Sequence, residues 1–381
     1  YECVPMRFIK HVYKIHTYTQ DGRLFEGKTP VSAFLNSSYD GSFIAGLMEL
    51  RYIQSLPVER IINYFESHGF TLKKPTAHKL MEKASSLFEN LYKCIRQTAL
   101  SDPYKAADET YYKILVPEKN SKGKGVRKGY LWVVVGINTR MIYLLYDDGS
   151  RSERVILNEL GSCKGIIQSD GYSPYRKLES DAYPNITRIP CLQHIKRKFI
   201  DCGEKDPDAK RIVELINALY QNEHKHKVGV EGWTVEQNLM HRKKYAPDIL
   251  GEIKDVLDEI EERGDLLPKS ELQEAITYLR NEWNAVVDIF NYGDTYLDNN
   301  MVERMNRYIS LSRKNSLFFG SHKGAERGAI LYTIALTCRM HKVNLFEYLT
   351  DVINRTAEWQ PNTPLEKYRE LLPDRWEKAN G

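Results

Sequence analysis

From Ser42 to about Leu100 the apolar residues fall three and four apart. They group as Ile44, Leu47, Met48 and Leu50, then Ile61, Ile62 and Phe65, then Leu80, Met81, Ala84, Leu87 and Leu91. That spacing sets each group on one helical face and predicts three helices. Pro57 opens the second, Gly69 stops it, and Thr76 is placed to cap the third. Short helices joined by a Gly-containing turn suggest a helix-turn-helix, or equally a small bundle with no groove-reading role. Ahead of them, Val4 to Tyr18 is rich in β-branched and aromatic residues and reads as a short hairpin or strand. Gly22, Gly27 and Pro30 then break regularity.

After Leu100 the period changes. Tyr104 to Val116, Tyr130 to Asn138 and Met141 to Tyr146 read as three strands. The basic, Gly-rich link Lys119 to Lys128 reads as a mobile loop, and the tight Asn138-Thr139-Arg140 connection predicts an antiparallel hairpin. Arg154 to Leu160 fits a helix, Gly165 to Ser169 a buried strand, Ile186 to Pro190 a fifth strand, and His194 to Phe199 a basic helix. Three antiparallel strands followed by strand, helix, strand, helix is an α+β, mixed-sheet signature. Residues 205–290 return to helical spacing, at Ile212, Leu215, Ile216 and Leu219, at Ile249, Ile253, Val256, Leu257 and Ile260, and at Leu272, Ile276, Leu279 and Trp283. This block reads as a helical insertion, with basic runs at His224–Lys227 and His241–Lys244. Met301 to about Ile353 is helical again, and the tail from Trp359 is Pro-rich with little periodicity.

Composition narrows the class. With 42% hydrophobic and 28% charged residues the chain is an ordinary globular sequence, neither fibrous nor wholly disordered. A length of 381 residues suits two or three domains, or one large domain carrying an insertion. The longest strongly apolar run, Tyr130 to Ile137, is far short of the ~20 residues a membrane span needs. Six cysteines without a CxxC pair argue against a disulfide-stapled secreted domain and for a reducing, cytoplasmic setting. No signal peptide opens the chain, and a start at Tyr1 rather than Met leaves room for a module upstream. The net charge of +4 says little, because nucleic-acid binding shows in the clustering of cations more than in their total.

Three acids stand in unusual contexts. Asp108 lies in a strand, Asp170 ends an apolar strand just before Gly171, and Glu303 lies near the start of a helix. A carboxylate among apolar neighbours is costly unless it is paired, hydrogen-bonded or metal-bound. Two such acids on neighbouring strands and a third from a helix can hold two divalent ions for phosphoryl transfer. Oxygen-only ligands favour Mg²⁺ or Mn²⁺ over Zn²⁺. Each acid also has a plainer reading: Asp170 as a turn residue, Asp108 as a strand-end cap or pair, and Glu303 as the partner of Asn300 in a capping box.

Several separated motifs carry a resemblance over nearly the whole chain. They are Asp298-Asn299-Asn300-Met301-Val302-Glu303-Arg304, Ser312 to Ser321, Gly324-Ala325-Glu326-Arg327, Gln168-Ser169-Asp170-Gly171-Tyr172, Cys191 with His194 ahead of Arg197-Lys198-Phe199, and Glu370-Leu371-Leu372-Pro373. In these the chain resembles the insertion-sequence-66 family of bacterial transposases. The resemblance implies an RNase H-like mixed sheet flanked by helices, interrupted by the helical insertion and preceded by an N-terminal helical module. It implies that Asp108, Asp170 and Glu303 are the catalytic, metal-binding acids, spaced by 62 (170 − 108) and 133 (303 − 170) residues. It further implies Mg²⁺ (or Mn²⁺) as cofactor and double-stranded DNA as partner, at the element's ends and at the target. The expected chemistry is phosphodiester cleavage and strand transfer at terminal inverted repeats, carried out by a homodimer or higher assembly. Family members usually carry a cysteine-rich, zinc-finger-like segment near the front. The matching Tyr18–Gly22 region has no cysteine, so zinc is not expected. The organisation implied is 1–100 as a DNA-binding module, 101–204 and 291–353 as the two parts of the catalytic core, 205–290 as the insertion and 354–381 as a tail.

Basic residues near these motifs are candidate DNA contacts: Lys124, Arg127, His194, Lys196, Arg197, Lys198, Arg307, Arg313, Lys314 and Lys323, with Lys122 and Lys128 in the same Gly-rich link. Arg307 follows Glu303 by four residues and shares its face, as a salt bridge or as a phosphate ligand. Phe318 and Phe319 are either core or part of a loop that supports the site. Cys191 and His194 give a C-x₂-H spacing with no second pair to complete a zinc site. The rival readings are an RNase H-like endonuclease without strand transfer, a non-catalytic transposase-derived DNA-binding protein and, more distantly, a two-carboxylate sugar hydrolase.

Overall fold

The computed structural model describes residues 1–28, 31–34, 37–119, 123, 125–203, 206–225, 232–360 and 362–377. Lys122, Lys124, His226 and Lys227 lie outside the described residues.

A hairpin comes first, of β1 (Thr17–Gln20) and β2 (Arg23–Glu26). It lies later in the chain than the Val4–Tyr18 pattern suggests. Its turn is Asp21-Gly22, with φ of 51° and 73°. Two successive left-handed residues match the twist of paired strands, and Asp-Gly tolerates them. The glycine expected to break regularity therefore makes the element. Upstream, Phe8 packs into an aromatic cluster with Phe43, Phe65 and Phe70.

Four helices follow: α1 (Gly41–Met48), α2 (Val58–Ser67), α3 (Lys74–Leu87) and α4 (Glu89–Ser101). α2 opens after Pro57, and Gly69 ends its run at φ 80°. The third expected helix is in fact two, because buried Phe88 leaves helical geometry at φ −91°, ψ 1°. Thr76 does not cap it. Lys73 holds that position, and Pro75 in the first turn sets the start instead. These helices have no core of their own. α1 lies against α13 (Leu345–Thr356), and α3 and α4 against α12 (His322–Met340), in a hydrophobic core continuous with the sheet.

The main sheet contains β3 (Tyr104–Leu115), β4 (Val126–Gly136), β5 (Ile142–Leu145), β6 (Gly165–Ser169) and β7 (Ile186–Pro190), in the order β5-β4-β3-β6-β7. β3, β4 and β5 are antiparallel, whereas β6 and β7 run parallel to β3. A two-residue strand, β8 (Phe318–Phe319), adds to β3 at Lys113 and Ile114. Phe319 is buried against Tyr112 while Phe318 is exposed. The arrangement is mixed α+β and consistent with the expected RNase H-like fold. β4 begins earlier than the sequence pattern suggests, so Arg127 and Lys128 stand on a strand opposite Ile114 and Lys113.

α5 (Glu153–Leu160) joins β5 to β6, and α6 (Ser173–Arg176) follows β6. α7 (Leu192–Asp201) follows β7. Then come α8 (Pro207–Lys225), α9 (Val235–Arg263) and α10 (Glu271–Ile289), the last packing on α7 and β7. The basic run His241–Lys244 is not a solvated patch throughout, since Arg242 is buried and paired with Glu223 at 2.7 Å. α11 (Asn300–Ser316) lies against β3, and α14 (Leu365–Arg369) lies on α4. No described helix is long and apolar enough to cross a membrane.

Candidate active site

Asp108 occupies the interior of β3, the middle strand, opposite Val133. On its other side Ala106 pairs with Gln168 of β6. The two-residue period of both strands carries that register on, so Asp108 and Asp170 share a face where β6 ends. The Asp170 charge is felt at Asp108. Asp108 is pushed up to about 8, by burial first and then by the charges of Glu109 and Asp170. Its oxygens accept the Glu109 N–H at 2.8 Å and the Asn306 Nδ2 at 2.5 Å. Asp170 accepts the Tyr172 N–H at 3.1 Å, so it also does the turn work its sequence context suggested.

α11 brings the third acid. Asn299 at its start makes no side-chain cap; its Nδ2 donates to the Ala107 carbonyl at 3.0 Å, and its N–H donates to Cys191 Sγ at 3.2 Å. The helix is thereby pinned to β3 one residue before Asp108. Asn299, not Asn300, occupies the cap position, so the capping box with Glu303 does not form. Glu303 and Asn306 are three apart and share a face. With Asn306 on Asp108, Glu303 stands one turn along the same face. Its Oε1 lies 3.7 Å from His194 Nδ1. His194 and Asp170 in turn line one cavity of about 360 Å³, together with Arg151, Tyr172, Arg197, Lys198 and Tyr278.

Cys191, His194 and Glu303 have ligand atoms within 4.8 Å of one another. They make a poor metal site. Burial pushes the Cys191 thiol up to about 12, and metals bind the thiolate. Three groups also fall short of the four ligands of a structural zinc. Among the described residues Asp108, Asp170 and Glu303 do not bring their ligand atoms that close to one another, but their all-oxygen donor set is a better match to a cation. Buried Glu303 Oε1, Asn299 Oδ1 and Asn306 Oδ1 have no hydrogen-bond partner, and among the described residues no Lys or Arg forms an ion pair with Asp108, Asp170 or Glu303. Carboxylate and amide oxygens are the donors Mg²⁺ or Mn²⁺ takes, and a bound cation would favour the ionised form of Asp108.

The candidate DNA contacts scatter. Arg197 and Lys198 are exposed and line the cavity. Lys196 is half-buried, its Nζ 5.7 Å from the Tyr220 ring centre. Arg307, Lys314, Lys323 and Arg127 are exposed, and among the described residues no ion pair joins Arg307 to Glu303. Arg313 stacks on Tyr111 at 3.9 Å and donates to the Tyr111 carbonyl at 2.5 Å, so it braces α11 against β3.

The chain matches the model of the family described as "Transposase IS66 family" over residues 36–327. It belongs to that family. Among its relatives in Sinorhizobium fredii (strain NBRC 101917 / NGR234) is the uncharacterized protein y4jD, 26% identical over 87% of this chain and 65% of the relative. Uncharacterized protein y4hP is 24% identical over 100% of the chain and 70% of the relative, and uncharacterized protein y4qI 25% over 96% and 69%. The chain thus spans about two thirds of the length of the relatives it matches.

Sequence reasoning passed over several residues of this transposase-family site. Glu109, one residue beyond Asp108, is buried with Arg151 on its Oε1 at 2.5–2.9 Å and the Tyr175 hydroxyl on its Oε2 at 3.3 Å. Arg151 also stacks on Tyr172 at 4.1 Å. Asn306 could have been found from its spacing to Glu303. Arg151 has no local signal, because only the folded sheet brings it to Glu109.

Proposed function

We propose that this IS66-family chain is a DNA transposase that cleaves and joins phosphodiesters at the ends of its element, with Asp108, Asp170 and Glu303 as the acids of its centre. The observation that carries this reading is that the Asp170 charge acts on Asp108 at one end of a mixed sheet while Asn306 of the docked helix donates to Asp108 one turn from Glu303, and among the described residues none of the three acids has a Lys or Arg ion pair. Asp108, Asp170 and Glu303 would hold Mg²⁺ (or Mn²⁺). When bound, paired divalent ions supply an activated water or 3′-hydroxyl and charge neutralisation at the transferred phosphate. Asn306 orients the Asp108 carboxylate through its Nδ2, and Asn299 fixes the depth of α11. His194 lines the cavity wall 3.7 Å from Glu303 and is a further candidate DNA contact. Arg197 and Lys198 sit where flanking phosphates of double-stranded DNA would pass, as charge-assisted donors. Arg307, Lys314, Lys323, Lys196 and Arg127 extend the basic surface, and the helices before residue 101 and those of 205–290 hold the terminal repeats. Two copies act together, because two ends must be joined, and the work is done on DNA in the bacterial cytoplasm.

The test is an end-containing duplex incubated with Mg²⁺ and a target plasmid. Wild type should give nicked ends and joined product, whereas Asp170→Ala should give neither while binding the duplex within about twofold of wild type. Equal cleavage by both proteins overturns the assignment. Cleavage without joined product reduces it to an endonuclease.

A further inference from the structure

The helical segment α8–α10 reaches the candidate centre through two residues of α10. Glu282 is fully buried, as is Arg188 on β7. Arg188 Nη2 donates to Glu282 Oε2 at 2.5 Å and to the Asp170 carbonyl at 2.8 Å, while its Nε donates to Ser169 Oγ at 3.1 Å and its Nη1 to Glu179 Oε1 at 2.5 Å. One turn before Glu282, the Tyr278 hydroxyl accepts the Gly171 N–H at 2.8 Å. The carbonyl of Asp170 and the N–H of Gly171 belong to one peptide unit. That unit is gripped at its oxygen through Arg188 and at its nitrogen by Tyr278. Gly171 is required here by contact, since a Cβ would lie 2.5 Å from the Tyr278 hydroxyl and 2.6 Å from the ring carbon bearing it.

A buried ion pair is weak support for stability, because desolvating two charges offsets their attraction. Its geometry is what sets this one apart: besides Glu282 and Glu179, Arg188 binds Ser169 Oγ and the Asp170 carbonyl, the residues at one carboxylate. We propose that Arg188, Glu282 and Tyr278 are positioning residues that aim the Asp170 carboxylate, so that α10 sets the affinity of the centre for its divalent cation. This rests on the reading of Asp170 as a cation ligand. Outer partners of a metal ligand commonly change affinity by about 10–100-fold.

The probe is Mn²⁺ alone, its free fraction read by electron paramagnetic resonance on the full chain without DNA. Tyr278→Phe deletes one hydroxyl and keeps the ring; Glu282→Gln keeps the shape and deletes the charge. Both are expected to weaken Mn²⁺ binding about tenfold with unchanged stoichiometry. Both should also raise the Mg²⁺ concentration for half-maximal cleavage by a similar factor, with the rate recovering at high Mg²⁺. If Glu282→Gln does not fold, Tyr278→Phe decides. Wild-type Mn²⁺ affinity in the folded variants, with binding lost in Asp170→Ala, overturns the role of α10 and leaves the centre standing. Undiminished binding in Asp170→Ala overturns the centre itself, and the role of α10 with it.

Discussion

Asp108→Asn should make the metal-free protein more stable at high pH while abolishing its cleavage activity. The unfolded chain releases the Asp108 proton at its ordinary value of 3.8, but the folded protein holds it until about 8. Below 3.8 both states are protonated and the group costs nothing. Between the two values the folded state binds more proton than the unfolded one, so stability falls as pH rises, and the loss is complete above about 8. From pH 5 to pH 8 the linkage amounts to about 3.6 kcal/mol at roughly 1.36 kcal/mol per tenfold. Asp108 is half-buried, and solvent screening takes roughly half of that, leaving about 2 kcal/mol. The asparagine does not ionise, but it loses one acceptor oxygen at a cost of about 1 kcal/mol at every pH. An unfolding entropy of about 2.1 cal/mol/K per residue gives a 381-residue chain a shift of roughly 1.2 °C per kcal/mol. Melting curves in chelator should therefore place the variant near wild type at pH 5 and about 2 °C above it at pH 8. Adding Mg²⁺ should raise the wild-type midpoint more than the variant's, because binding to the folded state alone stabilises it. Parallel midpoints across pH 5–8, or equal responses to Mg²⁺, refute the reasoning.

Arg151→Ala strips Oε1 of the buried Glu109 carboxylate of its two donors, Nε and Nη2, and should cost about 1–3 kcal/mol in denaturant unfolding, with Arg151→Lys recovering part of it because one ammonium still reaches a single oxygen. Gly171→Ala forces a methyl into the Tyr278 ring and should cost about 1–3 kcal/mol while lowering cleavage, measured by melting and by nicking of end DNA. The double variant Arg197→Ala/Lys198→Ala should weaken duplex binding regardless of sequence and reduce the log–log salt slope by about 2, whereas Arg313→Ala should chiefly lower stability because that guanidinium is already held on Tyr111.

β6 and β7 were legible to the residue, since short apolar runs closed by Gly, Asp or Pro have few alternatives to a buried parallel strand. The spacing of Ile44, Ile61 and Leu80 likewise found helices, but not the break at Phe88, a buried apolar residue that in sequence simply continues the run. The site was legible only in part. That Asp170 ends an apolar strand is local; that it shares a face with Asp108 depends on β3 pairing with β6 across the chain, and α11, which carries Glu303, lies on β3 where Asn299 reaches the Ala107 carbonyl. Arg188 inside Ile186–Pro190 and Glu282 on the Leu279–Val286 apolar stripe are charges in buried positions, a signal present in the sequence whose partners only the fold reveals. The partners of the cationic runs were least legible. Arg242 and Arg313 stand in basic clusters, yet one is buried on Glu223 and the other stacked on Tyr111.

Crystals soaked in Mn²⁺ and measured at its absorption edge address the centre directly. Anomalous peaks among the carboxylates of Asp108, Asp170 and Glu303, absent from Asp170→Ala crystals, are the expected result. A peak confined to Cys191, His194 and Glu303, with Asp108 and Asp170 free of metal, contradicts the assignment of the three acids.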